Sequence, residues 1–353
     1  MTTRSALAAA ALALAACSPD FDPASKIDKL RVLAIKAEPP EIAPPSVDPD
    51  LAHTAALTSL VLRADFDAEA ALTTTIVHLA CVPTPGDPAP SPCVLLAALR
   101  DPTVMLAEAA RASCDPDAAG SAAGVAFAGV ETCVAGTCGE AVALGLPLRR
   151  PEVAIRDGFA FPPAGPERIL GVEAIVLAFA LDASPDELVA GAGTTCPMGD
   201  MAARFAELWS SREHVLSTKR IQIRGPDAPD APNQNPVIAG IEAGSADLTD
   251  PDVVTTLPGG TIALTPILDP GVLPEPYTKL DASGAVIERT TEDWVYSWFS
   301  TAGEIDELHT HGATADDWTV YATAAGAPAV VVAVVRDLRG GVAWTVRKVN
   351  VAP

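Results

Sequence analysis

Large rings are scarce in this 353-residue chain: aromatics make up 5% of it, against 49% apolar residues in all. Ala, Val and Leu must therefore fill most of any interior. Basic residues are also few, 23 against 45 acidic ones, for a formal net charge of −22. So acidic a chain repels nucleic-acid phosphates and anionic lipid, which argues against both as direct partners of the folded part. After residue 17 no apolar run has the length of a membrane span, and Ala329–Val335 suits a strand only. The common catalytic signatures are missing as well. There is no Gly-x-Ser-x-Gly, and Ser121 in Gly120-Ser121-Ala122-Ala123-Gly124 is misplaced for a nucleophile elbow. Ser217-Thr218-Lys219 is not Ser-x-x-Lys, and neither a phosphate-cradling glycine loop nor Gly-x-Gly-x-x-Gly occurs. No enzyme class and no cofactor is indicated.

What the chain does have begins at its start. Arg4 precedes an almost pure Ala/Leu run from Ala6 to Ala16, ending in small residues before Cys17. That is a short export segment with a small-residue processing site, too short for a permanent span. The tetrad Leu14-Ala15-Ala16-Cys17 resembles the lipobox of bacterial lipoproteins. The resemblance implies that residues 1–16 are a signal peptide, that Cys17 carries lipid, and that the lipid is the only anchor. Ser18 directly after it implies the outer membrane, the protein facing the periplasm or the exterior. Residues 17–29 read as a polar tether.

Six further cysteines remain: Cys81, Cys93, Cys114, Cys133, Cys138 and Cys196. An even number in an exported chain suggests disulfides, and Cys133-x4-Cys138 lacks the paired knuckles of zinc sites. Cys81–Cys93 and Cys133–Cys138 are the expected local pairs, which leaves Cys114 with Cys196.

Proline is abundant, 33 residues, which breaks helices and favours short strands between ordered turns. Strands are expected from Leu30 to Ile35, around Leu60, Leu62, Ala64 and Phe66 as a half-buried alternation, and along Thr75–Cys81. Glu152–Phe161, Ile169–Leu181 and Arg220–Arg224 follow, the second central because it is apolar on both faces. Asp101-Pro102 opens a short helix to about Ser113, and Asp200 caps another whose Met201, Phe205, Leu208 and Trp209 share one face. Residues 226–234 are Pro/Asp-rich and read as a linker between a domain at 30–225 and one at 235–353. The second domain shows short strands at Val237–Ile241, Thr261–Pro266, Trp294–Phe299, Trp318–Ala322, Val330–Val335 and Val342–Val351. Asp337-Leu338-Arg339-Gly340-Gly341 joins the last two as a hairpin whose glycines supply positive φ. Cysteine-free and holding Trp294, Trp298, Trp318 and Trp344, this segment is expected to fold by itself.

A faint repeat links the halves: Thr218–Pro226 and Val346–Pro353 are both basic-then-aliphatic strands ending in Pro. The fold class is mainly β, with two Ig-like β-sandwich domains, the first carrying helical insertions and disulfides. The combination resembles bacterial surface lipoproteins built from Ig-like domains. Glu304, Asp306, Glu307, His309 and His311 form the densest set of potential metal ligands, but Thr301–Ala313 reads as a solvated loop and no third ligand is fixed by spacing. Asp48-Pro49-Asp50 and Asp247–Asp252 have no calcium-loop spacing. The expectation is a lipid-anchored envelope protein with a binding or structural role toward an unidentified envelope or extracellular partner, and with no bound metal. The alternatives are a metal-dependent hydrolase using Glu304–His311 and a ligand-capturing transport component.

Overall fold

The computed structural model describes residues 24–64, 73–83, 125–134, 137–143, 145–155, 158–191, 197–244, 246–247 and 254–353. The expected Asp101–Ser113 helix lies outside them, as do Cys17, Cys93, Cys114 and Cys196. The protein is mainly β. Its first half contains β1 (Arg31–Glu38), β2 (Glu41–Ile42), β3 (Thr54–Leu62), β4 (Thr74–Cys81), β5 (Val125–Val134), β6 (Thr137–Glu140), β7 (Val142–Ala143), β8 (Leu146–Pro147) and β9 (Glu152–Ala154). Helix α1 (Glu167–Leu170), β10 (Val172–Leu181), α2 (Pro185–Val189), α3 (Pro197–Ser211) and β11 (His214–Ile223) complete it. The second half has β12 (Ile238–Ala243), β13 (Ala246–Asp247), β14 (Val254–Thr256), β15 (Thr261–Leu268), β16 (Pro276–Leu280) and β17 (Val286–Thr291). It continues with β18 (Val295–Ser300), β19 (Gly303–Ile305), β20 (His309–His311), β21 (Asp316–Val320), β22 (Pro328–Arg336) and β23 (Val342–Val351).

Four main sheets stack into layers. A six-stranded sheet, β2-β11-β10-β4-β5-β6, faces a three-stranded one, β1-β3-β9. Ile35, Leu57, Val61, Ile76, Val176 and Ile221 fill the space between them. The other face of the six-stranded sheet is roofed by α2 and α3: Met201, Phe205 and Leu208 pack on Val77, Leu79 and Phe179. The stripe at Met201, Phe205, Leu208 and Trp209 is thus core, Trp209 partly buried and stacked on Phe205 at 5.3 Å. Cys81 belongs to this helix-covered face. The helix starts at Pro197, so Asp200 lies in its first turn, where an acid complements the helix dipole.

In the second half, β13-β12-β15-β21-β19 faces β14-β23-β22-β18-β20 around Trp298, Trp318 and Tyr296, all fully buried. The faint repeat has a counterpart in topology. In each half the first strand pairs with the second long one, β1 with β3 and β12 with β15. A short following segment then runs parallel to the last strand, β2 to β11 and β14 to β23.

The two halves meet face to face. Leu33, Ala34, Leu60 and Leu62 on the outer face of β1-β3 pack against Val330, Val332, Val334 and Val342 of β22-β23. Leu60 and Leu62 are buried, as the apolar face of the expected alternation, but Ser59 and Val61 on the other face are buried too, because the second half covers one face of the strand and the six-stranded sheet the other. That strand also ends at Leu62, before Ala64; Phe66 lies outside the described residues. An isolated 235–353 segment would bare the Val330-Val332-Val334 row, so the expectation of independent folding conflicts with this packing.

Other boundaries differ for local reasons. The expected strand at Ile169 starts at Val172, since Ile169 and Leu170 close the turn of α1. Gly171 at φ 73° ends that turn where a Cβ would run into the Ile223 carbonyl oxygen. Glu152–Phe161 forms a strand only to Ala154, because its partner β3 begins at Thr54 opposite Ala154. The tether is shorter than residues 17–29: Ser25 and Ile27 are buried, and Ile27 N–H donates to the Ser300 carbonyl at 2.8 Å. The Thr301–Ala313 loop contains β19 and β20. In the β22–β23 hairpin, Leu338 itself takes φ 64° alongside Gly340 at φ 115°.

Candidate functional site

The seam between the halves ends, on the linker side, in a polar clasp. Residues 226–234 form no helix or strand, as their prolines dictate, yet they do not swing freely. Arg168 holds Asp227 by two hydrogen bonds of 2.7 and 3.1 Å. The Arg224 guanidinium donates to the Ala228 and Asp230 carbonyls, and the Asp230 carboxylate accepts from Thr278 N–H and hydroxyl, both at 2.8 Å. Asn233, 5% exposed, donates its N–H to Glu41 Oε2 at 2.7 Å and its side-chain amide to Asp337 Oδ2 at 2.9 Å. Next to it, Asn235 Nδ2 donates to the Ala37 carbonyl at 2.8 Å while its Oδ1 accepts from Val342 N–H at 2.9 Å. The linker of the sequence reading is a strap bonded to both halves.

Asp337 is the centre of the clasp. At 1% exposure its carboxylate accepts from Arg339 N–H at 2.7 Å and Gly341 N–H at 2.9 and 3.0 Å, besides Asn233. Arg339 reaches away from it, to Glu292 at 3.0 Å and over the Tyr277 ring at 5.1 Å. Burial and the Glu292 carboxylate beside it push the Glu275 carboxyl above the usual carboxylate range.

Three adjoining clefts open along this seam. One of about 460 Å³ lies between Glu41, Glu173, Arg220 and Arg339, and one of about 430 Å³ between α1 and the β16–β17 hairpin, walled by Ile169, Tyr277, Leu280 and Ile287. The third, of about 250 Å³, is lined by Ser217, Thr218 and Lys219 of β11, Leu33–Ile35 of β1, and Arg336 with Leu338 and Gly340–Val342 of the hairpin. Lys219 and Arg336 thus enter it from different halves. Lys219 Nζ donates to the Gly340 carbonyl, while Arg336 donates to Ser297 Oγ and to the Leu33 carbonyl, both at 2.9 Å. Burial lowers the Lys219 amine to about 8, with Arg336 adding to the shift and Asp337 opposing it.

That depression has a stability consequence. Between about pH 8 and the ordinary lysine value the unfolded chain holds a proton that the folded one lacks, so folding stability rises with pH through this window. Below pH 8 the charged amine is a burden on the order of 1–3 kcal/mol, discounted for partial solvent access. Lys219→Met is therefore expected to be at least as stable as the native chain at pH 7. Urea midpoints should show its advantage shrinking by about 1–2 kcal/mol by pH 10; an advantage that grows with pH would contradict the assignment.

The residues singled out from sequence fall elsewhere. Cys133 and Cys138 are disulfide-bonded across the β5–β6 turn. Cys81 is disulfide-bonded too, its expected partner Cys93 lying outside the described residues. His309 and His311 alternate on β20, both exposed; His309 Nδ1 lies 3.0 Å from Ser297 Oγ and His311 Nδ1 2.7 Å from Asp293 Oδ2. Glu304 on β19, in the opposite sheet, is exposed. Among the described residues no three His, Cys, Asp or Glu side chains gather as metal ligands. Asp48 accepts from Asp50 N–H as a local turn.

The clasp residues went unnoticed, although one signal was available. Lys219 shares the inward parity of Ile221 and Ile223 on β11, a lone cation on a core-facing row.

No protein-family model matches this chain, and no curated protein matches it. Among solved structures it is similar to a nucleoside hydrolase-related hypothetical protein from Saccharophagus degradans associated with carbohydrate metabolism, at 14% identity and a TM-score of 0.22. That match covers 46% of this chain and 39% of the other, so the chain spans about two-fifths of that protein's length. It is also similar to murine CEACAM1b, at 7% identity and a TM-score of 0.20, over 92% of this chain and 100% of that one. At these scores neither likeness carries an argument about function.

Proposed function

We propose that this chain is a lipid-anchored protein of the bacterial cell envelope, attached through Cys17 and sorted to the outer membrane, with a binding or structural role carried by two Ig-like β-sandwich domains. The parallel pairing of a short early segment with the last strand in each half supports the Ig-like description. The observation that carries the reading is the Leu14-Ala15-Ala16-Cys17 tetrad, and the docking of Ser25–Ile27 beside Ser300 at the seam sets where the tether would end. Even fully extended, the residues between Cys17 and Ser25 reach at most roughly 30 Å. A lipid on Cys17 would hold the layered body against the bilayer surface, with its exposed loops and seam clefts turned to whatever partner the envelope presents. Loops on a rigid scaffold are where such recognition is usually built.

Intact-mass measurement of membrane-extracted protein tests the anchor. The expected product lacks residues 1–16 and carries added acyl mass on Cys17. A soluble product with an unmodified Cys17 would overturn the reading. The hydrolase alternative gains nothing from the separated positions of Glu304 and the two histidines.

A further inference from the structure

We infer that the cleft between β11 and the β22–β23 hairpin is a binding site for a small free oxyanion, phosphate or a short-chain carboxylate, that is completed only when the two halves are docked. Its polar lining is cationic and hydroxylic: Lys219 and Ser217, on the inward parity of β11, come from the first half and Arg336 from the second. Among the described residues no carboxylate lines it. Asp337 beside it, itself held by Asn233, Arg339 N–H and Gly341 N–H, brings one negative charge against two cations and leaves a net positive cleft. In a chain with 45 acidic against 23 basic residues, two cations drawn together in a partly buried cleft without a dedicated counter-ion run against composition.

The geometry suits an oxyanion. An ammonium has three donors, and Lys219 is seen to spend one on the Gly340 carbonyl, leaving donors for a ligand. Arg336 is fixed in place by Ser297 and the Leu33 carbonyl, so its charge is positioned in advance. The volume of about 250 Å³ holds a phosphate or a short carboxylate but no extended chain. A bound anion would also relieve the burial of the Lys219 amine. Binding should therefore draw a proton onto it and weaken as pH rises above about 8. The charged groups facing Lys219 are Arg336 and Asp337. The β1 segment Leu33–Ile35 and the rest of the hairpin lining bring none, since Arg339 turns to Glu292.

Titration calorimetry of the purified full chain with inorganic phosphate, at constant ionic strength, tests this. Saturable binding at pH 7 is expected, at least tenfold weaker in Lys219→Met and in Arg336→Met, unchanged in Arg289→Met on the exposed β17, and weaker at pH 9. Because Arg336 also bridges the halves, Arg336→Lys supplies a folded variant that keeps the charge; it should bind more tightly than Arg336→Met. No saturable binding, equal binding by native and Lys219→Met protein, or a loss shared by Arg289→Met would overturn the inference. Binding seen only with vesicles of anionic phospholipid would overturn it too, by assigning the site to a headgroup.

Discussion

Val332→Asp should lower the stability of the full chain by about 3–5 kcal/mol and split its unfolding into two transitions. Val332 is fully buried, but in the seam between the halves, not in the second half's own core. Its neighbours Val330 and Val334 point the same way, toward Leu33, Leu60 and Leu62 of the first half. A carboxylate placed there has no cation within the apolar row to pair with, so its desolvation is uncompensated. Relief comes from parting the two sheets, which wets the row and lets each half melt separately. Val286→Asp, on the exposed tip of the β16–β17 hairpin, should change stability by less than about 0.5 kcal/mol. Urea denaturation and calorimetry decide the matter. A single transition within about 1 kcal/mol of the native protein would show the seam to be dispensable. The same reasoning makes self-association the expected state of an isolated 235–353 segment.

Asp337→Ala is the second substitution with a large expected effect, about 2–4 kcal/mol of lost stability. Its carboxylate takes hydrogen bonds from two backbone N–H groups of its own hairpin and from the Asn233 amide of the strap. Truncation strands these donors in a site where Asp337 is 1% exposed and Asn233 5%. It also removes the group that holds Leu338 at φ 64°, a conformation costly for a residue with a γ-branched side chain. The neighbouring Lys219 loses its nearest negative charge, so its amine should fall further below about 8. Asp337→Asn keeps the shape and one acceptor and should cost less than half as much. Equal stability of the Ala variant and the native chain would show that water replaces the carboxylate.

Much of the strand order was legible in the sequence. The Val342–Val351 strand matches to the residue, and the Trp294-Tyr296-Trp298 face is core as its alternation implies. What periodicity cannot show is what lies beyond a domain's outer face. The alternation at Leu60 and Leu62 marks one buried face, yet the strand is buried on both: Val61 faces the first half's own core, and Leu60 and Leu62 face β22-β23. The linker misled for a related reason. Prolines do exclude helix and strand from residues 226–234, but the side chains of Arg224, Asp230 and Asn233 bind partners far along the chain. The β16–β17 hairpin was missed because its exposed, charge-rich strands lack an apolar stripe. Of the candidate site, only Lys219 had a local signature; Arg336, Asp337 and Glu41 acquire meaning from distant contacts.

The seam sets a timetable for biosynthesis. Arg336 donates to the Leu33 carbonyl across 303 residues of chain, so neither group meets its partner until almost the whole polypeptide has been made. The first half is therefore made with Leu33, Leu60 and Leu62 facing water. It waits in that form while the second half is delivered. Contacts this distant in sequence form slowly, and an uncovered apolar sheet face is prone to stray association in the interval. The first half should accordingly depend on chaperones during that delay, and stop codons placed after residue 234 should yield a product cleared faster than the full chain.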